Sequence, residues 1–235
     1  MLGKCKFDYK KYIYVFSNRD LIKYYLSCGI RKYEKMIFRK FLRKNQEILD
    51  VCCGVGRVSI YLAKKGHKVV GIDINPKLIR IAKKLSKNIK NCKFYRADIL
   101  KLNLKKLFDV CIVMDMSFEY LISKKRIMAF KNIVDHTKKG GIIIFTSYSY
   151  FYPPRLFKIF FMNLKNLIRG MEMNTFIFKH LAIHFFKPWE IYFIFKKLGM
   201  ELIGFYTFSE MEGKTSFIFP LKFFVKDHIW VWKKV

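Results

Sequence analysis

The chain has 235 residues and a formal net charge of +30, from 47 Lys and Arg against 17 Asp and Glu. That length suits one domain able to bury a core unaided, and that charge draws polyanions such as nucleic acid, acidic proteins or anionic headgroups. Cys5, Cys28, Cys52, Cys53, Cys92 and Cys111 show no CxxC or metal-knuckle spacing, no secretory signal opens the chain, and the longest charge-free run (140–154) is too short to span a bilayer, so a cytoplasmic protein is expected.

Residues 1–46 are basic with interleaved aromatics, and their pattern predicts two amphipathic helices. Glu47 to Cys52 is a short apolar run that reads as a buried strand. Gly54 and Gly56 then make a tight turn, VSIYLAKKG continues at helical spacing until Gly66 stops it, and KVVGID is a second strand ending on Asp73. Strand, glycine turn, helix and strand of this length form a right-handed parallel unit. The turn is expected to place bare backbone N–H groups and a positive helix end at the carboxyl edge of the sheet, where open α/β sheets bind ligands.

PKLIRIAKKLSKN begins with Pro76 at a helix start and keeps an apolar stripe through Leu78, Ile81, Ala82 and Leu85. CKFYRADIL is a third strand closing on Asp98. Phe108 to Met114 has a central-strand pattern and delivers Asp115, Ser117 and Glu119 to the same edge. RIMAFKNIVDHTKKGG is a helix ending in a Lys-Lys-Gly-Gly turn, followed by a fifth strand, IIIFTSYSY. About 40 residues (148–187) then exceed the usual loop length. They are rich in Phe, Leu, Met and Tyr, with six basic residues and one acid. KPWEIYFIFKKLGMELIGFYTF reads as a helix stopped by Gly199 and then a strand, and HIWVWKKV as a closing strand.

Two carboxylates define the ligand. Asp73 ends the second strand, where an acid accepts both hydroxyls of a ribose. Asp50 lies at the end of the first strand, where a pyrophosphate would be repelled and a cationic group is suited. DVCCGVGR followed by VVGIDINP resembles motif I and the acidic loop of class I S-adenosylmethionine-dependent methyltransferases. Cys52 stands where that family has its first glycine. DMSFEY resembles the family's (D/N)-x-S-F-G-Y edge, with Glu119 at the glycine, and TKKGG resembles its approach to the fifth strand, with Lys139 for proline.

The resemblance implies a doubly wound, seven-stranded, mostly parallel α/β sheet with an antiparallel last strand. It divides the chain into an N-terminal helical segment, 1–46, and a methyltransferase domain, 47–235, with a lid-like insertion at about 148–187. It implies S-adenosyl-L-methionine as cofactor, held by Asp50, Cys52, Gly54, Gly56, Asp73, Ile74, Asp98, Ile99 and Met114. Asp98 would accept the adenine amino group, Ile99 would donate its N–H to the ring, and the Met114 carbonyl would face the ammonium. Asp115 and Ser117 would orient the acceptor, an O or N nucleophile on a small molecule, RNA or protein. Tyr9 or Tyr12 either reaches the methionine end or packs in the core. RLFKIFFMNLKNLIRG is alternatively a basic amphipathic helix that lies on an anionic membrane or a partner, or a segment that simply packs.

No Asn-Pro-Pro-Tyr, Asp-Pro-Pro-Tyr or Pro-Cys follows the fourth strand, so exocyclic base amines and cytosine carbon are not indicated as acceptors. His180 and His184 have the spacing of one helical turn but no third metal ligand, and no metal is expected. Two other classes are compatible in part. A nicotinamide-dependent oxidoreductase would use GVGRVS as a defective G-x-G-x-x-G, with Ser59 at the third glycine. A non-catalytic module would use the basic face on nucleic acid or an acidic partner.

Overall fold

The computed structural model describes residues 9–121, 124–168, 170–178, 181–216, 218 and 221–235. Interior parallel strands are covered by helices on both sides and so need apolar side chains on both faces. The strands β1 (Glu47–Val51) and β4 (Phe108–Val113) meet that demand, with Ile48, Leu49, Val110, Cys111 and Ile112 fully buried. They pair in parallel with each other, and β2 (Lys68–Asp73), β3 (Cys92–Arg96) and β5 (Thr137–Tyr148) extend the parallel sheet. A separate hairpin is formed by β6 (Thr175–Phe178) and β7 (Leu181–His184). The closing strands are β8 (Met200–Thr207) and β9 (Asp227–Lys234), and β9 runs antiparallel between β5 and β8. The sheet order is β3-β2-β1-β4-β5-β9-β8. Strand order reverses between β1 and β4, and that is where an open sheet leaves a crevice beyond its carboxyl ends.

Helices follow from caps and periodicity. Among the described residues three of them precede β1, not two: α1 (Tyr9–Phe16), α2 (Arg19–Ser27) and α3 (Lys32–Phe41). The break that the periodicity concealed is at Asn18, whose side chain accepts hydrogen bonds from the Asp20 and Leu21 N–H groups and starts α2. Next come α4 (Arg57–Lys64) and α5 (Pro76–Leu85), the latter capped by Asn75 with Pro76 in its first turn. The remainder are α6 (Lys124–Asp135), α7 (Pro153–Ile168), α8 (Pro188–Lys197) and a single turn, α9 (Phe208–Met211).

Two cores lie on opposite faces of the sheet. Tyr33, Ile37 and Phe38 of α3 join Leu62 of α4 and Ala82 of α5 on one face. Phe130 of α6 and Phe195 of α8 pack with Phe145 and Trp232 on the other. A third cluster joins Phe16 of α1, Ile22 of α2, Val55, Leu78 of α5 and Leu181 of β7. The N-terminal helices and the insertion therefore meet above the crevice.

Two local expectations need correction. The Lys-Lys-Gly-Gly turn lies inside β5 rather than before it: between Phe108 and Val110 of β4 the partner strand advances from Thr137 to Ile142, and Gly140 takes φ +72°. The extra residues bulge out because a left-handed glycine reverses the pleat without ending the ladder. His184 lies on a strand, so its four-residue spacing from His180 is not a helical turn; His180 itself is outside the described residues.

Candidate active site

The chain turns sharply after β1. Cys52 has φ +58°, a left-handed conformation that costs a residue with a Cβ about 1–2 kcal/mol. Its position as the stand-in for a glycine is thus a backbone demand that cysteine meets under strain. Gly54 (φ +56°) and Gly56 (φ +81°) complete the turn into α4. The loop's N–H groups are not bare. Cys53 N–H donates to the Ile72 carbonyl (2.9 Å), Gly54 N–H to Asp73 Oδ2 (3.0 Å) and Gly56 N–H to the Cys53 carbonyl (2.9 Å). A loop whose donors are satisfied internally offers little to a diphosphate.

The crevice has two lobes that share Tyr12, Cys52, Asp73, Ser117 and Tyr120. Asp50, Gly54, Arg57, Met114 and Asp115 line the first, and Ile74, Asp98, Ile99 and Leu121 line the second. Every site residue named from the sequence except Gly56 faces one lobe or both. Gly56 serves the fold instead: a Cβ there would stand 2.6 Å from the Phe94 ring.

Asp50 is buried and accepts a short hydrogen bond from the Ser59 hydroxyl. Burial pushes its carboxyl up to about 7, against the opposing pull of the Ser59 hydrogen bond and the Arg57 charge. Asp73 is raised by burial and steadied by the Asn75 and Gly54 N–H groups at its two oxygens. Asp98 Oδ1 accepts the Leu100 N–H (2.9 Å), capping a short 3₁₀ turn, Ile99–Lys101. The Met114 carbonyl accepts the Ser117 hydroxyl (2.8 Å), so one of its two lone pairs is engaged.

Beyond β4, Asp115 and Met116 both adopt left-handed backbone (φ +55° and +52°). Two consecutive side-chain-bearing residues in this region persist only when neighbours hold them. Those neighbours are Arg31, paired with Asp115, and Arg57, whose guanidinium reaches Asp115 Oδ2 at 2.9 Å and forks onto Glu34. Glu34 is fully buried and also accepts the Arg31 backbone N–H (2.7 Å). This Arg31–Asp115–Arg57–Glu34 network ties α3 to both glycine-turn and β4 edges. Sequence reasoning missed it. The available signal was a single acid in the otherwise basic helix KYEKMIFRKF, and the arginine that closes DVCCGVGR.

Tyr12 sits where the lobes join, packed on Phe16 (4.5 Å) and edge-on to Tyr120 (5.8 Å). The side chain of Tyr9 is outside the described part of the structure. Burial raises the phenols of Tyr25 and Tyr148 to about 12, and that of Tyr120 also upward, so all three are neutral near pH 7. A wider depression next to the first lobe is lined by Tyr24, Arg31, Met116, Tyr148, Arg155 and Phe185. Arg155 and Phe185 come from the insertion. Among the described residues no cluster of three His, Cys, Asp or Glu is arranged to hold a metal.

Residues 48–141 match the model of a methyltransferase domain. The chain is 30% identical over 112 residues to a putative methyltransferase, YqeM, of Bacillus subtilis, covering 47% of this chain and 45% of that protein. It is 29% identical over 160 residues to a ubiquinone biosynthesis O-methyltransferase of Rickettsia canadensis, covering 66% and 63%. The chain thus spans about half the length of the curated relatives it matches. In fold it resembles a crystal structure of an S-adenosylmethionine-dependent methyltransferase from Methanosarcina mazei, with a TM-score of 0.68, 20% identity, and 85% and 97% of the two chains covered. A TehB-like methyltransferase from Corynebacterium glutamicum gives 0.64 at 18% identity, covering 96% and 98%. Residues 48–141 are thus similar to a methyltransferase domain, and the strand order, with its crevice at the β1–β4 switch point, is the fold of the S-adenosylmethionine-dependent methyltransferases it resembles.

Proposed function

We propose that the protein transfers a methyl group from S-adenosylmethionine to an O or N nucleophile. The observation that carries this reading is one crevice holding three strand-end carboxylates, Asp50, Asp73 and Asp98, above a glycine turn whose N–H groups are already used. The fit runs lobe by lobe. The apolar second lobe with Asp98 at its rim suits adenine, Asp73 at the junction suits the ribose hydroxyls, and the buried Asp50 suits the cationic methionine end. A nicotinamide dinucleotide fits poorly, because its diphosphate would face Asp50 and Asp73 with few free donors.

The cofactor supplies an electrophilic methyl on a sulfonium; the chain's own residues supply alignment and exclusion of water. Tyr12, Phe16 and Tyr120 roof the crevice and keep it dry. Asp115, pinned by two arginines, presents a fixed acceptor to the incoming nucleophile's proton, with Ser117 beside it. The depression between α2, β4 and the insertion is the acceptor's route, and residues 148–187 act as its lid. The neutral phenols of Tyr148 in that depression, and of Tyr25 and Tyr120 in the crevice, serve as hydrogen-bond donors, not as bases.

Calorimetry with S-adenosylmethionine and S-adenosylhomocysteine on the purified chain tests the cofactor assignment, with binding of both expected. Absence of heat and of thermal stabilisation with either compound removes it. Incubation with methyl-labelled cofactor and fractionated cell extract then identifies the acceptor by where the label appears, and no label in any fraction would favour the non-catalytic module.

A further inference from the structure

The helix α7 turns the wrong face outward for a helix of a water-soluble domain. Ile159 and Asn166 are its buried residues, at 2% and 4% exposure, and Asn166 Nδ2 donates to the Glu172 and Thr175 carbonyls. Opposite them stand Phe157, Phe160, Phe161, Leu164, Leu167 and Ile168, of which Phe157, Leu167 and Ile168 are about seven-tenths exposed. Their spacing of 3, 1, 3, 3 and 1 places all six on a single helical stripe. Phe157 and Phe161 are already in ring contact at 4.8 Å, and Phe160 and Phe161 at 5.5 Å. Soluble monomers rarely leave a continuous patch of this kind uncovered.

Charge selects what covers it. The helix sequence PPRLFKIFFMNLKNLI contains no acid, and Lys158 and Lys165 are exposed along one edge of the stripe. The one acid of the whole insertion, Glu172, is paired with Arg126. A second copy of the chain would have to bring lysine-edged faces of two molecules of net charge +30 together. An anionic bilayer has what the stripe lacks, with acyl chains for the aromatics and phosphates for the lysines. We infer that α7 is a membrane-surface helix that lies in the headgroup region of an anionic bilayer. It lies there without crossing; among the described residues no helix is long and apolar enough to span a membrane.

Sedimentation with vesicles tests this on the full chain. Binding to phosphatidylglycerol-containing vesicles is expected, with at least tenfold weaker binding to phosphatidylcholine alone. The triple variant Phe157→Ser, Phe160→Ser, Leu164→Ser keeps every charge and changes only exposed side chains. It is expected to lose tenfold or more of the vesicle affinity while keeping its far-UV circular dichroism, melting temperature and S-adenosylhomocysteine binding. Equal binding of variant and parent would show adsorption by net charge alone and overturn the inference. Failure of the parent to bind any vesicle would overturn it too, as would a concentration-dependent dimer that the triple substitution dissolves. Substituting Lys158→Glu and Lys165→Glu in an otherwise unchanged chain is expected to weaken binding to the anionic vesicles several-fold, and no effect counts against the proposed orientation.

Discussion

Asp50 is a carboxylic acid held away from water. Because burial sets its folded pKa near 7, the folded chain keeps a proton that the unfolded chain releases at an ordinary carboxylate pKa near 4. This group therefore takes stability away as pH rises between those values, and the loss is complete above the upper one. Asp50→Asn should raise the melting temperature of the free protein more at pH 8 than at pH 5. On the proposed cofactor placement, the same proton must leave before a sulfonium and an ammonium are welcome beside it. Affinity for S-adenosylmethionine should fall as pH drops through 7, by up to about tenfold per unit, and calorimetry at pH 6, 7 and 8 reads this directly. A flat profile would mean that Asp50 does not face the cofactor's cationic end. Asp73 makes a separate prediction. On the proposed ribose assignment, Asp73→Ala should weaken cofactor binding by about 1–3 kcal/mol; unchanged affinity would refute that assignment.

At the scale of elements, the glycine turn is shaped from behind by β3. The Phe94 ring stands within 2.6 Å of where a Cβ on either Gly56 or Gly71 would lie, and Ser59, the partner of Asp50, stands at 2.9 Å from the latter. Gly56 needs a left-handed backbone as well. Gly56→Ala should therefore cost about 2–4 kcal/mol, combining left-handed strain with overpacking. The midpoint of urea unfolding measures it, and an unmoved midpoint would show that the Phe94 ring yields. The Gly71 requirement was invisible in KVVGID, where glycine reads only as a weak strand residue. Its reason is a ring on a neighbouring strand, which pattern along one strand cannot report. The β6–β7 hairpin was equally hidden. Its strands have four residues each, too short for alternation to be told from chance, and only pairing Thr175 to His184 across the turn identifies them.

For the whole molecule, the crevice is closed by parts that are far apart in the chain. Phe16, Ile22, Val55, Leu78 and Leu181 share one cluster, and Asn75 Nδ2 donates to the Ile13 carbonyl and Ser17 hydroxyl to seat α1. Occupying the crevice should stiffen this roof. Proteolytic nicking between α1 and α2 is expected to slow in the presence of S-adenosylhomocysteine, read as the half-life of the intact chain. Equal cleavage with and without the compound would show that the roof is indifferent to the site below it.

The antiparallel direction of the closing strand followed only from the family resemblance, whereas the strand–turn–helix–strand unit, the parallel order it starts, the closing strand and the strand-end carboxylates were legible in the residues themselves. They depend on local rules of apolar period, glycine punctuation and strand-end position, which act over a few residues. Tertiary structure alone decided which donors of the glycine turn were already spent, that Glu34 and Arg57 would lock Asp115, and that the apolar stripe of α7 would face outward. Each of those is a matter of what lies across a gap, and a stripe of Phe and Leu has the same spacing whether a core or a bilayer is to cover it.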